Sequence, residues 1–138
     1  MPVVLIAEDD PDVSFALELI FKKAGFQVRT AADGMIALRT AVEHHPDVVL
    51  TDLDMPRLTG LELCHALRGH RELHDTPVAM LSGSLTPGDP RALDARLCAV
   101  LLKPFSADDL VAAVRNLVET GLHDHTSIPT RCPYALTA

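Results

Sequence analysis

Apolar positions along this chain form two kinds of run that alternate. Val3 to Ala7 is continuous, the pattern of a strand buried on both faces. Asp10-Pro11 then predicts a helix N-cap followed by proline at the first helical position. From there Val13, Ala16, Leu17 and Ile20 recur at helical spacing as far as Gly25. Phe26 to Ala31 predicts a second strand, Asp33-Gly34 a turn, and Ile36 to Glu43 a helix with Ala37, Leu38, Ala41 and Val42 as its stripe. A third strand is expected over Asp47 to Asp52, and a helix from Leu58 to Gly69 with Leu61, Cys64 and Leu67 turned inward.

The second half repeats the alternation. Pro77 to Leu81 predicts a fourth strand, GSLTPGDP a loop, Pro90 to Leu97 a short helix, and Cys98 to Leu102 a fifth strand. Ser106 and Asp109 form a capping-box pattern that opens a helix running to Thr120, with Leu110, Ala113, Val114 and Leu117 on its buried side. Residues 121–138 hold no sustained period and contain two prolines. One α/β domain over 1–120 is therefore expected, followed by an irregular tail or the start of a linker. Strands that alternate with helices imply right-handed crossovers and a parallel sheet covered on both faces.

Composition narrows the function without changing the fold. The net charge is −7 and only 12 residues are Lys or Arg, scattered along the chain, which argues against direct nucleic-acid binding. The start, MPVVLIAEDD, lacks the basic region of a signal peptide, and no apolar run nears the length that spans a bilayer. Cys64, Cys98 and Cys132 are too far apart for a metal knuckle, so reduced thiols in a cytoplasmic protein are expected. His65, His70 and His74 straddle the predicted end of a helix, an unpromising frame for zinc. His123 and His125 fall in the tail and are expected to face solvent.

The chemistry-bearing residues sit where strands end. Glu8 and Asp9 follow the first strand, Asp52 closes the third, Ser82 follows the fourth and Lys103 the fifth. In an open parallel sheet those ends share one edge, where ligands bind. Three converging carboxylates repel one another, and a divalent cation relieves the repulsion. Magnesium suits such a set, since it prefers oxygen ligands and keeps water. With a lysine and a hydroxyl nearby, the group is equipped to hold a phosphoryl group on a carboxylate oxygen.

EDD near the start, TDLDMP with LTGLEL behind it, PVAMLS and LLKPF, in that order, closely resemble receiver domains of two-component response regulators. The resemblance covers Val3 to about Thr120 and implies a flavodoxin-like doubly wound sheet of order 2-1-3-4-5. It implies that Asp52 is the phosphoacceptor, and that Glu8, Asp9, Asp52 and the backbone carbonyl of Asp54 hold Mg²⁺. Ser82 matches the hydroxyl residue that moves toward the phosphoryl group, and Lys103 the lysine that contacts it. The implied donor is a histidine kinase or a histidine phosphotransfer domain, and the implied output a downstream protein target, with phosphorylation-dependent dimerisation left open. Catalysis is implied only in a limited sense, as self-phosphorylation from a phosphodonor and self-dephosphorylation. Where the family often carries a switching aromatic residue, Val100 stands here, so the signal is expected to leave by another route.

Several residues have plainer roles to set beside these. Asp10 and Asp12 are expected as a cap and a first-turn acid, and the Asp54 side chain as a solvated loop acid. A phosphatase of the haloacid dehalogenase type would use Asp52-Leu53-Asp54 and Lys103, but Pro56 stands where that family has Thr or Val, and Glu8 and Asp9 would go unused. A degenerate receiver that docks without phosphorylation is the second rival, motivated by Val100.

Overall fold

The structure, a computed structural model, describes residues 2–82, 99–102, 106–120 and 136–137. Strands β1 (Val3–Ala7), β2 (Gln27–Ala31), β3 (Val48–Asp52), β4 (Val78–Ser82), β5 (Ala99–Leu102) and β6 (Leu136–Thr137) form one sheet of order β2-β1-β3-β4-β5-β6. Every neighbouring pair is parallel. The expected order 2-1-3-4-5 is present, with the two-residue β6 added beyond β5. Helices α1 (Pro11–Lys23), α2 (Gly34–His44), α3 (Gly60–Arg68) and α4 (Ala107–Thr120) complete the described elements. The loop expected at GSLTPGDP, the helix expected over Pro90–Leu97 and most of the tail lie outside the described residues.

Alternation along each strand divides the core between two faces. Leu5, Ala7, Val49, Val78 and Met80 join Ala37 and Ala41 of α2 and Leu63, Cys64 and Leu67 of α3. Val4, Ile6, Val48, Leu50, Ala79 and Leu81 face the other way, onto Leu17 and Phe21 of α1 and Leu110, Val114 and Leu117 of α4. Strands sandwiched in this way must be apolar on both sides, which explains the continuous runs in the sequence.

Local chemistry sets the helix ends. Asp10 caps α1, its side chain accepting from Asp12 N–H at 2.9 Å and Val13 N–H at 3.4 Å. Thr59 and Glu62 form a reciprocal capping box on α3. Asp109 N–H donates to Ser106 Oγ at 3.0 Å, the serine half of the box expected at α4. One expectation is corrected: Asp33-Gly34 is no free-standing turn. Asp33 caps α2, with Oδ1 accepting from Ile36 N–H at 2.8 Å, and Gly34 is the first helical residue. Helix α2 then ends on His45, which takes a left-handed conformation with φ 45°. Among the described residues no helix is long and apolar enough to cross a membrane.

Candidate functional site

Strand register brings the acids together. Ala7 pairs with Thr51 across β1 and β3, so Glu8 and Asp52 leave the two strands at the same level. The sheet order also reverses direction here. The chain goes from β1 to β2 on one side and to β3 on the other, so the following loops diverge and leave a crevice. Into it point Glu8, Asp9 and Asp52, each with an oxygen within 4.8 Å of those of the others.

The three carboxylates differ in environment. Glu8 is buried at 4% exposure, Asp52 is half-buried and Asp9 is exposed. Glu8 is anchored at both ends: its N–H donates to Ala31 O at 3.0 Å, and its Oε1 accepts from Asp10 N–H at 3.1 Å. Asp52 Oδ1 accepts from Leu53 N–H at 3.1 Å. A shallow cavity of about 300 Å³ opens beside Glu8 and Asp9, with Ser14, Phe15 and Thr30 among its walls. An all-oxygen, anionic set with one buried and one solvent-facing member fits a hard divalent cation that keeps part of its water.

The remaining predicted site residues are placed as follows. Asp54 lies two residues beyond β3 with its side chain exposed. Ser82 is the last residue of β4 rather than the first after it, and pairs with Leu102. Val100 pairs with Met80 in the middle of β5. Lys103 lies outside the described residues. Among the described residues Glu8, Asp9 and Asp52 are the one cluster of potential metal ligands, and His74 Nδ1 sits 2.7 Å from Asp75 Oδ1.

Three supporting residues were not singled out from the sequence. Thr51, fully buried, donates its hydroxyl to Asp52 O at 2.9 Å. Gly60 packs so closely on Asp52 that a Cβ there would collide with the Asp52 carbonyl oxygen. Arg57 adopts a left-handed φ of 69°, with its Nε 3.7 Å from Asp33 Oδ2. The glycine is visible in LTGLEL, but its neighbour in space is not; Arg57 carries no sequence signal at all.

The sequence profile of the response regulator receiver domain matches residues 4–115. The transcriptional regulatory protein PrrA of Mycobacterium tuberculosis is 42% identical over 118 residues, 85% of this chain and 50% of PrrA. Protein PilG of Pseudomonas aeruginosa is 32% identical over 115 residues, 81% of this chain and 84% of PilG. This chain spans about half the length of PrrA and of KdpE from the same Mycobacterium species. Among solved structures, the chemotaxis response regulator CheY4 of Vibrio cholerae superimposes with a TM-score of 0.80 at 30% identity, covering 85% of this chain and 98% of that one. The receiver domain of sensor histidine kinase PA1611 from Pseudomonas aeruginosa, with a magnesium ion coordinated in its active site cleft, gives 0.78 at 26% identity, covering 86% and 98%.

Proposed function

Because this chain belongs to the response regulator receiver domain family, we propose that Asp52 is its phosphoacceptor and that a phosphohistidine is the donor. One Asp52 oxygen attacks the phosphorus, the P–N bond breaks, and the imidazole leaves with that electron pair and is protonated from solvent. In the reverse duty, water attacks the phosphorus and loses a proton. The acyl-phosphate P–O bond then breaks, returning the carboxylate and releasing inorganic phosphate.

The observation that carries this proposal is the convergence of Glu8, Asp9 and Asp52 within 4.8 Å. Glu8, Asp9, Asp52 and the Asp54 backbone carbonyl are the proposed holders of Mg²⁺. When bound, the ion supplies positive charge that offsets the clustered carboxylates and the incoming phosphoryl oxygens. The magnesium in the PA1611 receiver supports that choice. Glu8 is buried while Asp9 is exposed, so the acidic cluster is open to solvent on the Asp9 side, where a donor can approach. Ser82 and Lys103 are proposed to take the hydrogen-bonding and charge-pairing roles at the phosphoryl group, on the strength of the sequence resemblance.

The proposed partners are a histidine kinase or histidine phosphotransfer domain upstream and a protein target downstream, with phosphorylation biasing a two-state surface. The receiver-family match over residues 4–115 favours this reading over a dehalogenase-type phosphatase, and the intact acidic cluster favours it over docking without phosphorylation. Incubation with acetyl phosphate and Mg²⁺ tests the assignment: the parent protein should gain one phosphoryl group by mass spectrometry and Asp52→Asn none. Undiminished labelling of Asp52→Asn would refute it.

A further inference from the structure

We infer that Asp33 and Arg57 are positioning residues for the loop that follows Asp52, so that cation affinity in the acidic pocket depends on a contact made outside it. This rests on the assignment of Glu8, Asp9, Asp52 and the Asp54 carbonyl as the cation's ligands. Leu58 N–H donates to Pro56 O at 2.8 Å, closing a three-residue turn with Arg57 at its centre at φ 69°. That is the strained form of the γ-turn, rare for any residue and unfavourable for one with a long side chain. A backbone in that state persists only where its surroundings over-determine it.

Two neighbours do so. Gly34 lies so near that a Cβ on it would run into Leu58 O, so the first turn of α2 sits directly on the strained turn. Arg57 Nε lies 3.7 Å from Asp33 Oδ2, and Asp33 is itself held, buried at 8% exposure with Oδ1 committed to Ile36 N–H. With the Arg57 side chain 68% exposed, the ion pair would count for little if it only joined two surface groups. Here it biases a backbone with an easier alternative. At the other end the loop is pinned by Gly60 N–H to Leu53 O at 2.8 Å and by Gly60 against Asp52 O. Asp54 lies between the two pins. Loss of the Asp33–Arg57 contact lets residue 57 relax to ordinary φ and carries the Asp54 backbone with it.

Asp33→Asn is the informative variant, because asparagine caps a helix as well as aspartate but lacks the charge. Calorimetric titration of the intact chain with Mg²⁺ should show Asp33→Asn and Arg57→Ala binding about threefold to tenfold more weakly than the parent, below the range usual for groups bonded directly to a ligand. The double variant should bind no more weakly than either single one, and the urea midpoint of Asp33→Asn should match the parent's. Parent-like affinity in both single variants, additive losses in the double variant, or a loss mirrored by a lowered urea midpoint would overturn the inference while leaving the pocket assignment standing. A parent protein that takes up no Mg²⁺ would overturn both.

Discussion

On the side of the sheet covered by α1 and α4, the core is filled by large side chains: Leu17, Phe21, Phe26, Leu110, Val114 and Leu117, with the Phe21 and Phe26 rings edge to face at 5.3 Å. On the side covered by α2 and α3, small residues do much of the work, with Ala37, Ala41 and Cys64 in the core and Gly34 and Gly60 touching backbone directly. Large side chains contribute stability through buried area. Backbone-to-backbone approach contributes less area and allows almost no shift. The acidic pocket opens at the end of the same strands, and the loop that leaves Asp52 runs into the closely packed side. Both faces bury large side chains, Leu63, Leu67 and Met80 among them on the α2 and α3 side, but on that side glycine contacts also fix the backbone beside the site.

The contrast can be tested by single substitutions, the most costly first. Phe21→Ala removes a fully buried ring and should cost about 3–5 kcal/mol in urea unfolding, while the folded protein keeps its Mg²⁺ affinity. Loss of affinity in a folded Phe21→Ala protein would show that the two faces are not separable. Gly60→Ala should cost less, about 1–3 kcal/mol, because one methyl group overpacks rather than empties the core. It should nevertheless impair Mg²⁺ binding and labelling by acetyl phosphate, since the Asp52 carbonyl must move to admit the Cβ. Smallest is Arg115→Ala, which removes a hydrogen bond of 2.8 Å to Ala24 O and a cation 5.8 Å from the Phe26 ring. A loss of about 1 kcal/mol, with no change at the pocket, is expected there.

Much of this was legible in the order of residues, and the exceptions share a cause. Both-face burial of β1, β3 and β4 shows in VVLIA, VVLTD and VAMLS, and the Asp10-Pro11 cap lies wholly within its own sequence neighbourhood. The acids at strand ends were legible because a parallel sheet places all such ends on one edge. Asp33-Gly34 misled because Asp-Gly is a strong turn dipeptide that competes with the local cap on Ile36 N–H, while the Leu58 backbone against Gly34 shows only in three dimensions. Left-handed Arg57 was invisible for a related reason, since arginine is not a residue type that signals positive φ; His45 belongs to a type enriched there, but the enrichment marks no single position. Strand β6, with two residues, is too short to carry a period.

The most direct measurement of the central claim is a titration of the intact chain with Mg²⁺ and then beryllium fluoride, a phosphoryl mimic, followed through backbone amide NMR signals. Saturable one-to-one binding is expected, with the largest shifts at Glu8, Asp9 and residues 52–54, and a second set of shifts on beryllium fluoride that Asp52→Asn does not show. Shifts absent from those residues, or an Asp52→Asn protein that responds to the mimic as the parent does, would contradict the account.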